Sequence, residues 1–221
     1  MSAVDPYAFM SPATAGTGVA LRTPMERRHI AAGAAIEKHG GWRIGVYPDA
    51  DDGDPWIVDV SHFGKLDLRA TASGLDQLTG GLAPGEARAD GEVWTLRLTP
   101  THGYILCPFG SLEAIRAATG GAAIDLTCGL AGIAIGGTTW RDVMNRSSGL
   151  DVRPARFPAA RCMAGSVMRV PTLVLNRGDD FVLLVPWELG EYFWEAILDA
   201  GVTIGIARTS VAVREPEAAT A

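Results

Sequence analysis

A short signature occurs twice in this chain, and its recurrence limits the folds open to it. Val58-Asp59-Val60-Ser61 returns 66 residues later as Ile124-Asp125-Leu126-Thr127. At the same offset Ser73-Gly74-Leu75-Asp76 meets Thr139-Trp140-Arg141-Asp142, and both read as S/T-x-x-D helix starts. Between these points lie two alternating stretches, Leu66-Asp67-Leu68 and Ile133-Ala134-Ile135, one residue out of register. At a larger offset Thr95-Leu96-Arg97-Leu98 pairs with Thr172-Leu173-Val174-Leu175, and Tyr104-Ile105-Leu106 with Phe181-Val182-Leu183. In each copy two apolar runs flank a polar turn, which predicts a hairpin closed by Pro108 or Pro186. Helices carrying Glu113-Ala114-Ile115 and Glu195-Ala196-Ile197 are expected next. Each half therefore reads strand, helix, strand, strand, helix. That order predicts an α+β protein of two pseudo-repeated ferredoxin-like (βαββα) halves in one domain. The halves cover about residues 56–120 and 122–201 of a domain spanning 23–213, between an arm at 1–22 and a tail at 214–221 expected to be disordered.

Outside the repeat, Thr23-Pro24-Met25-Glu26 offers a Thr cap, a first-turn Pro and a Glu at the third helical position. With Gly40-Gly41 as a stop, this predicts a helix over about 24–39. The four aspartates between Pro48 and Pro55 lack the spacing and terminal Glu of a calcium loop and read as a solvated turn. At 221 residues and 48% hydrophobic, the chain can bury a sizeable core. Its net charge of −6 and lack of a basic block speak against nucleic-acid binding. The longest uncharged apolar stretch, Leu126 to Trp140, is too short to span a bilayer, and the first 21 residues lack a basic leader, so a cytoplasmic protein is expected. Cys107, Cys128 and Cys162 are too far apart for a zinc motif, so no metal is expected, and their apolar neighbours predict packing. The only lysines, Lys38 and Lys65, leave amine nucleophilic chemistry two candidates.

The segment Val58-Asp59-Val60-Ser61-His62-Phe63-Gly64-Lys65 is similar to the D-V-S-H-x-G-K signature of the glycine cleavage T-protein family of folate-dependent aminomethyltransferases. The Thr23-Pro24 start and Gly40-Gly41-Trp42 resemble that family's opening helix and G-G/A-W segment. Asp179-Asp180-Phe181, Val185-Pro186, Leu198-Asp199-Ala200-Gly201-Val202 and Ala207-Arg208-Thr209-Ser210 resemble later family segments, so the likeness runs over about 22–215. It implies a T-protein folate-binding-domain-like fold. Two departures bear on activity. Where the resemblance places an acidic pair in a hairpin, this chain has Leu106 and Cys107, and where it places a pterin-gripping glutamate, this chain has Val182. Apolar side chains cannot supply the charge that acid–base work or pterin recognition needs. The chain also stops where family members continue into a C-terminal barrel.

A shortened relative without these carboxylates resembles the γ subunits of heterotetrameric sarcosine oxidases, whose partner chains carry FAD, FMN and NAD while tetrahydrofolate accepts the one-carbon unit. The resemblance implies a non-catalytic subunit of a hetero-oligomer with larger oxidase chains. The alternative is a subunit of a tetrahydrofolate-dependent aminomethyltransferase or demethylase. No catalytic residue is assigned to this chain, and Arg208, His62 and Tyr104 are the expected folate contacts. The residues themselves leave other readings open. Ser61 and His62 point to opposite sides of a strand and are not a nucleophile–base pair. Asp59 and Asp125, at matching positions, suggest a shared turn hydrogen bond over paired acid–base catalysis. His102 reads as a solvated turn histidine, with proton carriage as the alternative. His29 and His39 do not share a helix face, so they are not a metal pair. Arg208 suits either a carboxylate or a structural ion pair. The aromatic run Tyr192-Phe193-Trp194 and Arg153, Arg156 and Arg161 of a Pro-rich insertion are expected to touch a partner chain.

Overall fold

The computed structural model describes residues 20–47 and 54–208, so the expected arm, most of the acidic turn and the tail lie outside the described residues, apart from 20–22, 54 and 55. The predicted helix over 24–39 is corrected. Helix α1 (Glu26–Ala31) has Met25, not Thr23, at its cap, and the chain then turns at Gly33, where φ is +86°. Ala35–His39 form strand β2, which pairs antiparallel with β3 (Trp42–Val46). Gly40 and Gly41 close this hairpin with φ of +54° and +89°, the positive pair that a two-residue primed turn demands. Strand β1 (Leu21–Arg22) adds in parallel to β3 and completes a three-stranded sheet.

The repeat builds the second, eleven-stranded sheet. Its first copy runs β4 (Trp56–Asp59), β5 (Gly64–Arg69), α2 (Ala72–Thr79), β6 (Glu86–Asp90), β7 (Val93–Thr99), β8 (His102–Cys107) and α3 (Leu112–Ala118). The second runs β9 (Ala123–Asp125), β10 (Leu130–Gly136), α4 (Trp140–Ser147), β11 (Arg161–Val167), β12 (Val170–Asn176), β13 (Asp180–Pro186) and α5 (Gly190–Gly201). The expected order of each half is thus corrected to two strands, a helix, three strands and a helix. Strands β6 and β11 escaped notice because Glu-Ala-Arg-Ala-Asp and Arg-Cys-Met-Ala-Gly-Ser-Val lack large apolar residues in alternation. These two strands join the halves: Arg161 is in register with Glu86, and Ala87 N–H donates to Ala160 O at 2.9 Å. Of the expected helix starts, Thr139 precedes α4, whereas α2 is capped by Thr71, whose Oγ1 accepts from Gly74 N.

The strand order is β14-β4-β10-β13-β12-β11-β6-β7-β8-β5-β9, with β14 being Ala207–Arg208. Without β14, this order reads the same from either end when the two copies are interchanged. The first strand of each half has crossed over: β4 pairs with β10 of the second half, and β9 with β5 of the first. The repeated signature fastens both crossings in one way. Asp59 Oδ1 accepts from Ser61 N at 2.9 Å, and Asp125 Oδ1 from Thr127 N at 2.8 Å. Ser61 Oγ accepts from Gly132 N at 3.1 Å while Thr127 Oγ1 accepts from Lys65 N at 3.1 Å. Val60 N donates to Gly132 O, and Leu126 N to Lys65 O. Each carboxylate therefore rigidifies a turn whose hydroxyl holds the other half's second strand.

Successive residues of the same strands feed different clusters, as strand alternation requires. Ile133, Leu183 and Val185 pack with Trp140 of α4 and with Phe193 and Trp194 of α5. Leu66, Leu68 and Ile105 pack with Leu75 of α2 and Leu112 of α3. Val58, Leu96, Leu106, Leu175, Val182 and Leu184 form a third cluster fed by both halves. Among the described residues, no helix is long and apolar enough to cross a membrane.

Candidate functional site

A buried polar network lies where the N-terminal sheet meets the main one. His29 on α1, 1% exposed, reaches Asp59 on β4, 6% exposed, with Nε2 3.0 Å from Oδ2. Its Nδ1 lies 2.8 Å from the Tyr47 hydroxyl just after β3. The ring stands edge-on to Trp194 of α5, with centroids 5.0 Å apart. Gly45 of β3 makes room for it, because a Cβ there would come within 2.7 Å of the imidazole Cγ. Burial alone pushes the Asp59 carboxyl up, but hydrogen bonds from His29 and Ser61 and the nearby imidazole outweigh it and hold the group below its ordinary value. An ionised Asp59 accepts the Nε2–H, which leaves Nδ1 to accept from the phenol. Burial pushes Tyr47 up to about 12, against the lowering field of Arg208, so the hydroxyl keeps its proton.

Arg208 on β14 lies in parallel register with Ile57 of β4, two residues from Asp59. It is exposed and borders a cavity of about 250 Å³ together with Arg28, Trp194, Glu195 and Leu198. Arg28 is engaged by Glu191 at 2.7 Å and Glu195 at 2.9 Å. The corner thus presents the Arg208 guanidinium at a cavity that Arg28 and Glu195 also line, near the Tyr47 phenol fixed by a buried imidazole and carboxylate.

The other expected contacts lie elsewhere. His62, in the β4–β5 turn, is 4% exposed, edge-on to His39 and Phe63, and its Nδ1 has no hydrogen-bond partner among the described residues. Burial pulls it down to about 4, so it is neutral at pH 7. Tyr104 on β8 is half-buried, opposite Asp67 of β5, its ring 4.8 Å from His102. Burial and the Asp67 charge push its phenol up, partly offset by Arg69. His62, Tyr104 and Arg208 share no hydrogen bond, ion pair or ring contact. His102 is corrected from a solvated turn residue: it opens β8 and its Nε2 lies 2.7 Å from Asp67 Oδ1. The expected shared turn hydrogen bond of Asp59 and Asp125 is present. His29 and Tyr47 were not singled out as partners, because no periodicity links residues 18 and 30 positions apart in sequence.

Nucleophiles fare poorly here. Burial pushes the thiols of Cys107 up to about 12 and of Cys162 up to about 11, and raises that of Cys128, so all three stay protonated. Lys65 is fully buried, its Nζ donating to the carbonyls of Ser61 at 2.7 Å, Phe63 at 2.9 Å and Thr127 at 3.4 Å. Leu106, Cys107 and Val182 are 4%, 1% and 2% exposed within apolar clusters. Among the described residues, no group of three or more His, Cys, Asp or Glu side chains is placed to hold a metal ion.

No family model matches the chain, and no curated protein matches it by sequence. Solved structures do. A chain of the heterotetrameric sarcosine oxidase from Corynebacterium sp. U-96 matches with a TM-score of 0.64 and 21% identity, over 84% of this chain and 97% of that one. The glycine cleavage system aminomethyltransferase T from Bartonella henselae matches with a TM-score of 0.70 and 16% identity, over 88% of this chain and 60% of that one. This chain thus spans about 60% of the transferase's length. At these identities the likeness is one of fold: an α+β protein with a curled, mixed eleven-stranded sheet of the T-protein kind.

Proposed function

We propose that this chain is a small γ-like subunit of a flavin- and folate-linked oxidase of sarcosine or another N-methyl amino acid, a cytoplasmic complex in which it carries no catalytic residue. The observation that carries the reading is the match over 97% of a chain of a heterotetrameric sarcosine oxidase. The apolar burial of Leu106, Cys107 and Val182 supports it: no carboxylate stands at the positions where the resemblance to T-proteins would put the working groups. In this reading FAD, FMN and NAD belong to larger partner chains, and a tetrahydrofolate carried by the complex meets this chain at Arg208, the most exposed of the three expected contacts. Tyr104 offers it a half-buried phenol. His62 is buried and would meet it only if the β4–β5 turn opened.

The test is purification of the tagged chain from its native host, read by mass spectrometry and absorbance. A large co-purifying chain with flavin absorbance is the expected result, followed by oxidase activity on N-methyl amino acids. A colourless chain, alone or paired with a transferase-like one, overturns the reading. The higher TM-score to the aminomethyltransferase favours the second reading, a subunit of a tetrahydrofolate-dependent transferase or demethylase. That reading expects the chain, with its partner, to saturate with tetrahydrofolate in a titration, and Arg208→Ala to weaken the saturation.

A further inference from the structure

The cavity where α1, α5 and β14 meet is lined by charges of both signs. Helix α1 contributes Arg28 and Ala31, α5 contributes Trp194, Glu195 and Leu198, and β14 contributes Arg208. Its floor is apolar and held in place. Trp194 and Leu198, 1% and 9% exposed, lie four residues apart on one face of α5. The Trp194 ring is braced edge-on by His29, which Asp59 fixes in turn. The charged groups above it differ in how far they are already committed. Arg28 is spent on Glu191 at 2.7 Å and Glu195 at 2.9 Å. Arg208 is exposed and makes no hydrogen bond or ion pair among the described residues. Glu195 is exposed as well, with Oε1 taken by Arg28 and Oε2 without a partner among the described residues. The cavity therefore offers one unpaired guanidinium and one carboxylate oxygen still open to a donor.

We propose that this cavity binds a small neutral α-amino acid, its carboxylate on Arg208, its ammonium on Glu195 and its side chain against Trp194 and Leu198. A guanidinium without a partner suits a carboxylate, which it meets through two parallel N–H donors. An ammonium brings the donors that the open Glu195 oxygen accepts. Charge narrows the choice further. An anion alone would have to settle beside Glu195, and a cation alone beside Arg208, and like charges brought together are unfavourable. A zwitterion meets both groups with the opposite sign. Size agrees: about 250 Å³ is below the roughly 300–1,000 Å³ of sites that enclose drug-sized ligands. The proposal goes beyond the subunit reading and does not rest on it. Tetrahydrofolate, where it reaches Arg208, would compete for the same guanidinium.

The experiment is titration calorimetry on the full-length chain, with glycine and L-alanine as probes and acetate and methylammonium as ligands of one charge each. Glycine and L-alanine are expected to bind at least about tenfold more tightly than either single-charge ligand. Arg208→Ala is expected to weaken glycine binding by about thirtyfold, and Glu195→Gln by about tenfold without weakening acetate. Both side chains are exposed, so the melting temperature of each variant is expected to stay close to that of the wild type. Arg208→Lys, which keeps the charge but loses the fork, is expected to fall between wild type and Arg208→Ala. Acetate that binds as tightly as glycine makes the cavity a plain anion site and overturns the proposal. So does glycine binding that Arg208→Ala leaves unchanged, or a Kd for both amino acids weaker than about 10 mM. A chain that binds glycine yet co-purifies with no flavoprotein upholds this proposal and overturns the subunit reading.

Discussion

His62 and Lys65 are buried bases three positions apart, and burial lowers both, with opposite provision for their hydrogens. Lys65 donates to three carbonyls at the strand crossing, and burial pulls it from 10.5 to about 8, against the fields of Asp59 and Asp125. The unfolded chain binds the extra proton between these values, so Lys65 makes stability rise with pH from about 8 to 10.5. Cys107 and Tyr47, pushed up by burial, act in the opposite sense at high pH, so the measurement is a difference. Urea unfolding of wild type and Lys65→Met is expected to show a wild-type advantage that grows as pH climbs from 8 to 10. His62 is pulled down by burial from 6.5 to about 4, so stability is lost as pH falls through that interval. His62→Leu is expected to shrink the acid limb by the His62 share, on the order of 3 kcal/mol, leaving the part that Asp59 contributes. At this scale the sequence was partly informative. The recurrence of Asp59 as Asp125 pointed to a turn hydrogen bond over paired acid–base catalysis, because the whole local pattern Asp-x-Ser/Thr is duplicated with it. The contact of His29 with Tyr47 and Asp59 left no trace, since it is made by three elements with no common period.

Between elements, the seam of α1, β3 and β4 depends on a missing side chain. Gly45 admits the His29 ring against the bare backbone of β3, and a methyl there would meet ring Cγ at 2.7 Å and Cβ at 2.8 Å. Gly45→Ala is expected to cost about 2 kcal/mol by overpacking. Because the clash is with one side chain, Gly45→Ala combined with His29→Ala should cost less than the sum of the two single changes, a coupling that a double-mutant cycle in urea measures. The same region shows where local signals misled. Ala-rich Arg27–His39 favours helix, and Gly40-Gly41 reads equally as a helix stop or as a hairpin turn. Gly33 at φ +86° and the partner strand β3 decide for the hairpin, and neither is visible as helical or strand periodicity. Strands β6 and β11 were missed for a related reason: each is held chiefly by the hairpin it forms with β7 or β12 of its own half, so they need few large apolar residues of their own.

Across the molecule, the repeat was legible because duplicated chemistry survives as duplicated letters, but the crossing of β4 and β9 was not, since exchange of equivalent strands leaves the sequence pattern unchanged. The crossing makes each half incomplete without the other. A protease site placed at the Gly120-Gly121 turn, where both residues have positive φ, is expected to yield a nicked protein that still elutes as one species. The two fragments should part only in denaturant, and each alone should lack a cooperative melt. Fragments that separate in native buffer would show that the exchange contributes little. The same crossing sets a timetable during synthesis. Strand β4 leaves the ribosome some 70 residues before β10, the strand beside it, so the first half must wait with an apolar edge uncovered. The chain therefore closes late and as a whole, and its most exposed moment comes before the second half has been translated.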